Sequence, residues 1–188
     1  TQDRAKAVAD TAAAEAGARD ADAALAADAD GETVQQVIDN QAATLGEKIV
    51  LRRVTRVAGE RVTAYLHRTA RDLPPSIGVV VATDAAGEAV AKDVAQHVAA
   101  MSPTYLSRDE VPAETVENER RIAEETSRNE GKPEAALPKI VEGRLNGFFK
   151  DVVLVDQPLA KDPKKTVGQV VSEAGGTITE FVRYRVGA

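Results

Sequence analysis

Residues 130–158 read EGKPEAALPKIVEGRLNGFFKDVVLVDQP, and they pass from a turn through a helix start and an amphipathic helix to an apolar, strand-like run. Asn129 to Lys132 form the tight turn. Pro133 opens the helix, since a missing N–H costs nothing in a first turn. Ile140, Val141, Leu145, Phe148 and Phe149 give that helix an apolar side, and Pro138, lying deeper, predicts a kink. Val152–Val155 reads as a strand. The segment before the turn, Pro112–Asn129, is highly charged, with Val116, Ile122 and Ala123 as its few apolar residues. Two helices joined by so short a turn pack antiparallel. Residues 112–149 therefore predict a helical hairpin standing partly away from the body. No group in the stretch suits catalysis, which points to a protein that works by presenting a surface.

Working outward, Thr166–Ala174 reads as a short helix closed by Gly175 and Gly176, after a loop at Lys161–Lys165. TITEFVRYRV at 177–186 reads as a strand. Toward the N-terminus, Ser107 and Glu110 have capping-box spacing. Glu88–Met101 is a helix opened by Gly87 and stopped by Pro103, with Val90, Val94, Ala95 and Val98 on one face. IGVVVA at 77–82 is apolar enough for a central strand. Ile49–Val57 and Val62–His67 alternate and are β-branched, with Gly59 and Glu60 between them, so they predict a hairpin. Glu32–Leu45 is a helix ended by Gly46, preceded by a turn at Asp28–Gly31. Asp3–Asp28 is Ala-rich and predicts two short helices broken at Gly17. The strand at 177–186 loosely echoes IVLRRVTRV at 49–57. The fold class is thus α+β, with small antiparallel sheets flanked by helices. Two related core units are expected, over residues 1–100 and 101–188, the second carrying the hairpin.

With 188 residues the chain buries a core of its own. Aromatics make up only 3%, so Ala, Val, Leu and Ile must build that core. A net charge of -6 argues against a direct nucleic-acid role, which needs a concentrated basic surface. Without cysteine there are no disulfides, thiolate metal sites or cysteine nucleophiles, in keeping with a cytoplasmic setting. No apolar run approaches the length of a bilayer span. Phosphate-gripping GxxxxGK[ST], GxGxxG and GxSxG patterns are absent. Placing Gly31 at the sixth position of a calcium loop puts Ala26 and Val37 where carboxylates belong, which rejects calcium. His67 and His97 form no metal-ligand pair, and no cofactor or enzymatic site is implied. His97 sits at the polar edge of an apolar stripe, where a ring packed on the core is the plain expectation.

LGEKIVLRRV at 45–54, IGV at 77–79, VAQHVAA at 94–100, GKP at 131–133, KIVEGR at 139–144, QP at 157–158, KTV at 165–167, FVR at 181–183 and Val186-Gly187 follow one another in an order that resembles the bacterial elongation factor Ts family. LNGFFK at 145–150 is similar to its actinobacterial branch. The resemblance implies a guanine nucleotide exchange factor of protein synthesis. It would bind elongation factor Tu through that protein's nucleotide domain and third domain, and a homodimer of the complex is compatible with it. It also implies that the hairpin is a coiled-coil protrusion, and that Ile77, Gly78 and His97 contact the partner. The family's ubiquitin-associated-like N-terminal domain, its TDFV motif and the C-terminal extension of some members have no counterpart in residues 1–188. The expectation is then binding with slow exchange. The competing expectation is a docking module that uses the hairpin and exchanges nothing.

Overall fold

A computed structural model describes residues 20–186, which fall into two units divided between Arg56 and Val57. The helices expected before residue 20, and Gly187, lie outside the described residues. In the first unit, helix α1 (Ala21–Ala26) starts at Asp20, whose carboxylate accepts from the Ala23 N–H at 2.8 Å. Strands β1 (Asp28–Ala29) and β2 (Glu32–Thr33) pair antiparallel. Asp30 and Gly31 turn the chain between them at φ 60° and 89°. Helix α2 (Val34–Leu45) begins in a capping box: Thr33 and Gln36 each satisfy the other's backbone N–H. Gly46 ends it at φ 70°.

The second unit is built on a three-stranded antiparallel sheet. Its strands β3 (Arg61–His67) and β4 (Ile77–Thr83) pair along their whole length. Helix α3 (Glu88–Met101) follows. The Asp84 carboxylate accepts from the Gly87 N–H at 2.8 Å at its start, and that bond, with the Thr177 backbone, holds Asp84 below its ordinary pKa. Ser102 closes α3 in a left-handed conformation, φ 55°. Helices α4 (Ala113–Asn129) and α5 (Leu137–Val152) form the hairpin. Strands β5 (Pro158–Leu159) and β6 (Asp162–Thr166) make a small ribbon. Helix α6 (Val167–Glu173) starts in a second capping box, from Thr166 and Gln169. Strand β7 (Ile178–Arg185) returns to the free edge of β4, giving the order β3-β4-β7.

The main core lies on one face of β4. Ile77, Val79 and Val81 pack there with Val94, Ala95, Val98 and Ala99 of α3 and with Leu154, Leu159, Val167, Val171 and Ile178. The Arg183 guanidinium reaches the Ala99 carbonyl at 3.3 Å and occupies the carbonyl end of α3. A second, smaller core of Ala123, Val141 and Leu145, flanked by Val116 and Phe149, lies in the hairpin seam. Arg108 joins the hairpin to the body. Its guanidinium stacks 4.6 Å from the Phe149 ring centre, pairs with Asp156 and donates to Asn146 at 3.1 Å. At the other end Arg144 grips Glu130 through both carboxylate oxygens at 2.7 and 2.8 Å. That bond holds the Glu130 carboxyl below its usual pKa.

Several expectations change. Residues 48–59 carry no strand. Tyr65 and its neighbours in β3 pair instead with β4, whose apolar face gains burial that the Arg-studded 49–57 segment does not offer. Val152 ends α5, and Leu154–Asp156 is a 3₁₀ turn, so no strand forms at 152–155 beyond a single bridge from Val153 to Tyr105. Helix α5 starts at Leu137, with Pro138 inside its first turn; the proline opens the helix instead of kinking it. Ser107 makes no cap, and Glu110 accepts from the Leu106 N–H instead. The loop expected at 161–165 is mostly β6. The boundary expected near Ala100 is crossed by β7, which pairs with β4 and draws the two ends of the second unit into one sheet.

A methyl on Gly176 would lie 2.3 Å from the Gly87 nitrogen, against backbone that cannot step aside. Gly176→Ala should therefore lower unfolding free energy by more than about 2 kcal/mol in urea titration. Gly143, inside α5, meets nothing within 4 Å; Gly143→Ala should raise stability by about 0.5–1 kcal/mol in the same assay. The Thr83 hydroxyl is buried with no hydrogen-bond partner. Thr83→Val keeps the shape, removes the stranded oxygen and should stabilise by about 1 kcal/mol.

Candidate functional site

Two of the three residues singled out in the sequence are consecutive on β4. Ile77 faces the main core and is 7% exposed. It lies between His67 of β3 and Arg185 of β7 in the sheet register. Gly78 faces the opposite side of the sheet and is half-buried. A β-carbon built on it would lie 3.6 Å from Leu66 Cδ2, an ordinary contact, with nothing else within 4 Å. This outer face is mostly apolar, with Tyr184 opposite Gly78 and Glu180 opposite Ala82 as its polar members in the register. Val62 is 51% exposed, Leu66 67% and Val186 78%, with Val80 and Val182 half-buried among them by the strand register.

His97 lies elsewhere, on α3, and is 1% exposed. The Ala160 N–H donates to its Nδ1 at 3.0 Å, so that nitrogen carries the lone pair. The proton then belongs on Nε2, which donates to Gln157 Oε1 at 2.8 Å. Gln157 in turn donates from its amide to the Asp151 carbonyl at 2.8 Å, which orients it. The ring therefore ties α3 to the chain between the end of α5 and the β5–β6 ribbon. Asp93, one turn earlier on α3, adds an ion pair with Lys161 at 2.8 Å. Burial pushes the His97 pKa down, and the Gln157 acceptor opposes that in part. A charged ring would also set an Nδ1 proton against the Ala160 N–H.

The structure thus brings Ile77 and Gly78 together on one strand and places His97 in a separate buried network that encloses its ring. Gln157 and Ala160 had no functional signal in the sequence beyond the Gln-Pro pair, because they are 60 and 63 positions from His97. No group of three or more metal-binding side chains gathers among the described residues, and no helix among them is long and apolar enough to cross a membrane.

A family model described as elongation factor TS matches residues 2–188. The chain belongs to the elongation factor Ts family. It is 71% identical to elongation factor Ts of Beutenbergia cavernae over 171 residues, covering 91% of this chain and 61% of that protein. It is 60% identical to that of Kocuria rhizophila over 174 residues, covering 92% and 63%. Against that of Thermobifida fusca the identity is 60% over 164 residues, covering 87% and 59%. The chain thus spans 61% of the length of the first of these elongation factor Ts relatives.

The depressed pKa of His97 has a definite sign. The folded state holds the ring neutral, while the unfolded chain takes up a proton near pH 6.5. Stability is therefore full above that value and is lost as pH falls below it. The thermal midpoint should fall from pH 7 to pH 5.5, and the fall should flatten in His97→Gln. His97→Ala should cost about 2–4 kcal/mol at pH 7, since it opens a cavity and leaves the Ala160 N–H and the Gln157 carbonyl without partners.

Proposed function

We propose that this chain binds elongation factor Tu and promotes release of its guanine nucleotide during protein synthesis. The family match over residues 2–188 carries this reading. The chain itself needs no reacting group, because the nucleotide sits on the partner. An exchange factor must only bind the nucleotide-free partner more tightly than the GDP-bound one. Linkage then obliges it to weaken GDP by the same ratio. The surface that meets the partner is the start of β4, where Gly78 lies open on a mostly apolar sheet face beside Leu66. Ile77 contributes by holding that strand end on the core. The setting is the cytoplasm, where protein synthesis takes place.

The site is testable without disturbing the fold, because Gly78 has room for a methyl in the free chain and Leu66 is mostly exposed. Gly78→Ala should leave the urea midpoint unchanged or slightly raised, and Leu66→Asp should leave the chain folded. Each should weaken binding to elongation factor Tu about 10-fold, equivalent to about 1.4 kcal/mol. Release of a fluorescent GDP analogue from the partner should accelerate with added chain and saturate. Binding without any acceleration would assign a docking role alone, and an absence of binding would remove the proposal.

A further inference from the structure

His97 and Gln157 are polar side chains, 1% and 2% exposed, set beside a core of valine, alanine, leucine and isoleucine. Both nitrogens of the ring are committed. Nδ1 accepts from the Ala160 N–H at 3.0 Å, and Nε2 donates to Gln157 Oε1 at 2.8 Å. Gln157 cannot reverse its amide without losing the bond it donates to the Asp151 carbonyl. A second proton on the ring therefore has one place to go, Nδ1, where it meets the Ala160 N–H. Among the described residues no carboxylate is hydrogen-bonded to the ring to offset that charge. Asp93 of α3 is engaged by Lys161. Asp151, at the end of α5, is exposed and meets the network through its carbonyl. Asp156 pairs with Arg108, and Glu173 of α6 with Lys165. Arg183 of β7 lies at the Ala99 carbonyl, and β4 carries no charged residue. An unpaired buried charge is costly enough that the surroundings give way first.

The part able to give way is small. Ala160 stands in the two-residue turn between β5 and β6. Leu159 belongs to the main core, but no residue from Ala160 to Thr166 is buried. The other side-chain ties from this segment to the helices are the ion pairs Lys161–Asp93 and Lys165–Glu173, whose lysine side chains are 69% and 44% exposed. Ion pairs so open to water hold weakly, and segments with little apolar burial open apart from the global fold.

We infer that His97 is an acid-sensitive latch: protonation of Nδ1 breaks its bond to the Ala160 N–H, and residues 160–166 open while the three-stranded sheet and α3 stay folded. The lowered pKa of the ring agrees with this, since burial disfavours the charged form and Gln157 opposes that only in part. Opening admits water to the ring, which then takes up its proton near pH 6.5. The closed turn is therefore favoured above that value and is lost as pH falls below it. For uptake of one proton, the opening constant rises by at most about 10-fold per pH unit. The latch is independent of the function proposed above, and its release is a local event that precedes the global unfolding read by a thermal midpoint.

The test follows residues 1–188 by NMR from pH 7 to pH 5.5. Amide protection factors, which remove the intrinsic pH dependence of exchange, are read at Ala160 and at Val79 and Val81 of β4, and the His97 ring is titrated through its nitrogen shifts. Ala160 should lose protection several-fold, up to about 10-fold per pH unit, in step with the ring, while Val79 and Val81 keep theirs. In His97→Gln, whose side chain takes up no proton, protection at Ala160 should be independent of pH. Loss at Ala160 only together with Val79 and Val81 would assign the proton to global unfolding and overturn the inference. Ala160 staying protected throughout, whether or not the ring titrates, would overturn it too, as would a pH-dependent loss that persists in His97→Gln. The parent chain alone decides the first two of these outcomes, so the test stands even if the variant does not fold.

Discussion

Gly176 rests on Gly87 backbone to backbone, with no room between them for a single methyl group. The rest of the second unit depends on this approach. Gly87 is the residue from which α3 departs after β4, and Gly176 is the residue from which β7 departs after α6. Their contact brings the beginning of a helix and the beginning of a strand, nearly ninety positions apart in sequence, to one point. From that point β7 runs antiparallel along β4 while α3 runs back across the core face. The pairing of β7 with β4 and the laying of α3 on the core face both set out from two residues without side chains.

The parts of the fold legible in the sequence are those in which local pattern and burial agree. Helix α3 has one apolar stripe between a glycine and a proline, and it forms over Glu88–Met101 as expected. Strand β4 is apolar on both faces and takes the central position. The helical hairpin follows from its short turn. The misreadings arise where a local pattern competes with a tertiary partner. Ile49–Val57 alternates like a strand, yet alternation states a preference and names no neighbour; β3 reaches its neighbour across the 68–76 loop. At Val152–Val155 the β-branched run is overridden by the end of α5 and the contacts of Arg108 with Asp156 and Phe149.

The candidate site was only partly legible, for a related reason. Ile77 and Gly78 belong to an element whose position the apolar pattern determines, so their place on β4 was foreseeable. The environment of His97 was not. An isolated histidine on the edge of an apolar stripe is equally compatible with an exposed contact and with a closed network. The residues that hold the ring, Gln157 and Ala160, come from a distant part of the chain. Hydrogen bonds between distant polar groups leave no periodicity for a reader of the sequence to find, whereas apolar faces do.

The clamp made by Arg108 has a mechanical consequence. Helix α4 has 17 residues, which at 1.5 Å per residue makes an arm of about 25 Å. Along its buried side Ala123 and Ser127 are small, and the Ser127 hydroxyl is already satisfied within the helix by the Ala123 carbonyl. The two arms can therefore lie close together. Arg108 holds Phe149, Asn146 and Asp156 at the base. A tilt of about 10° there would carry the far end through about 4 Å, given an arm of that length. By that lever length, the contacts of one guanidinium define the position of the Glu130–Lys132 turn to within about the length of a hydrogen bond only if they hold the base to within about 10°.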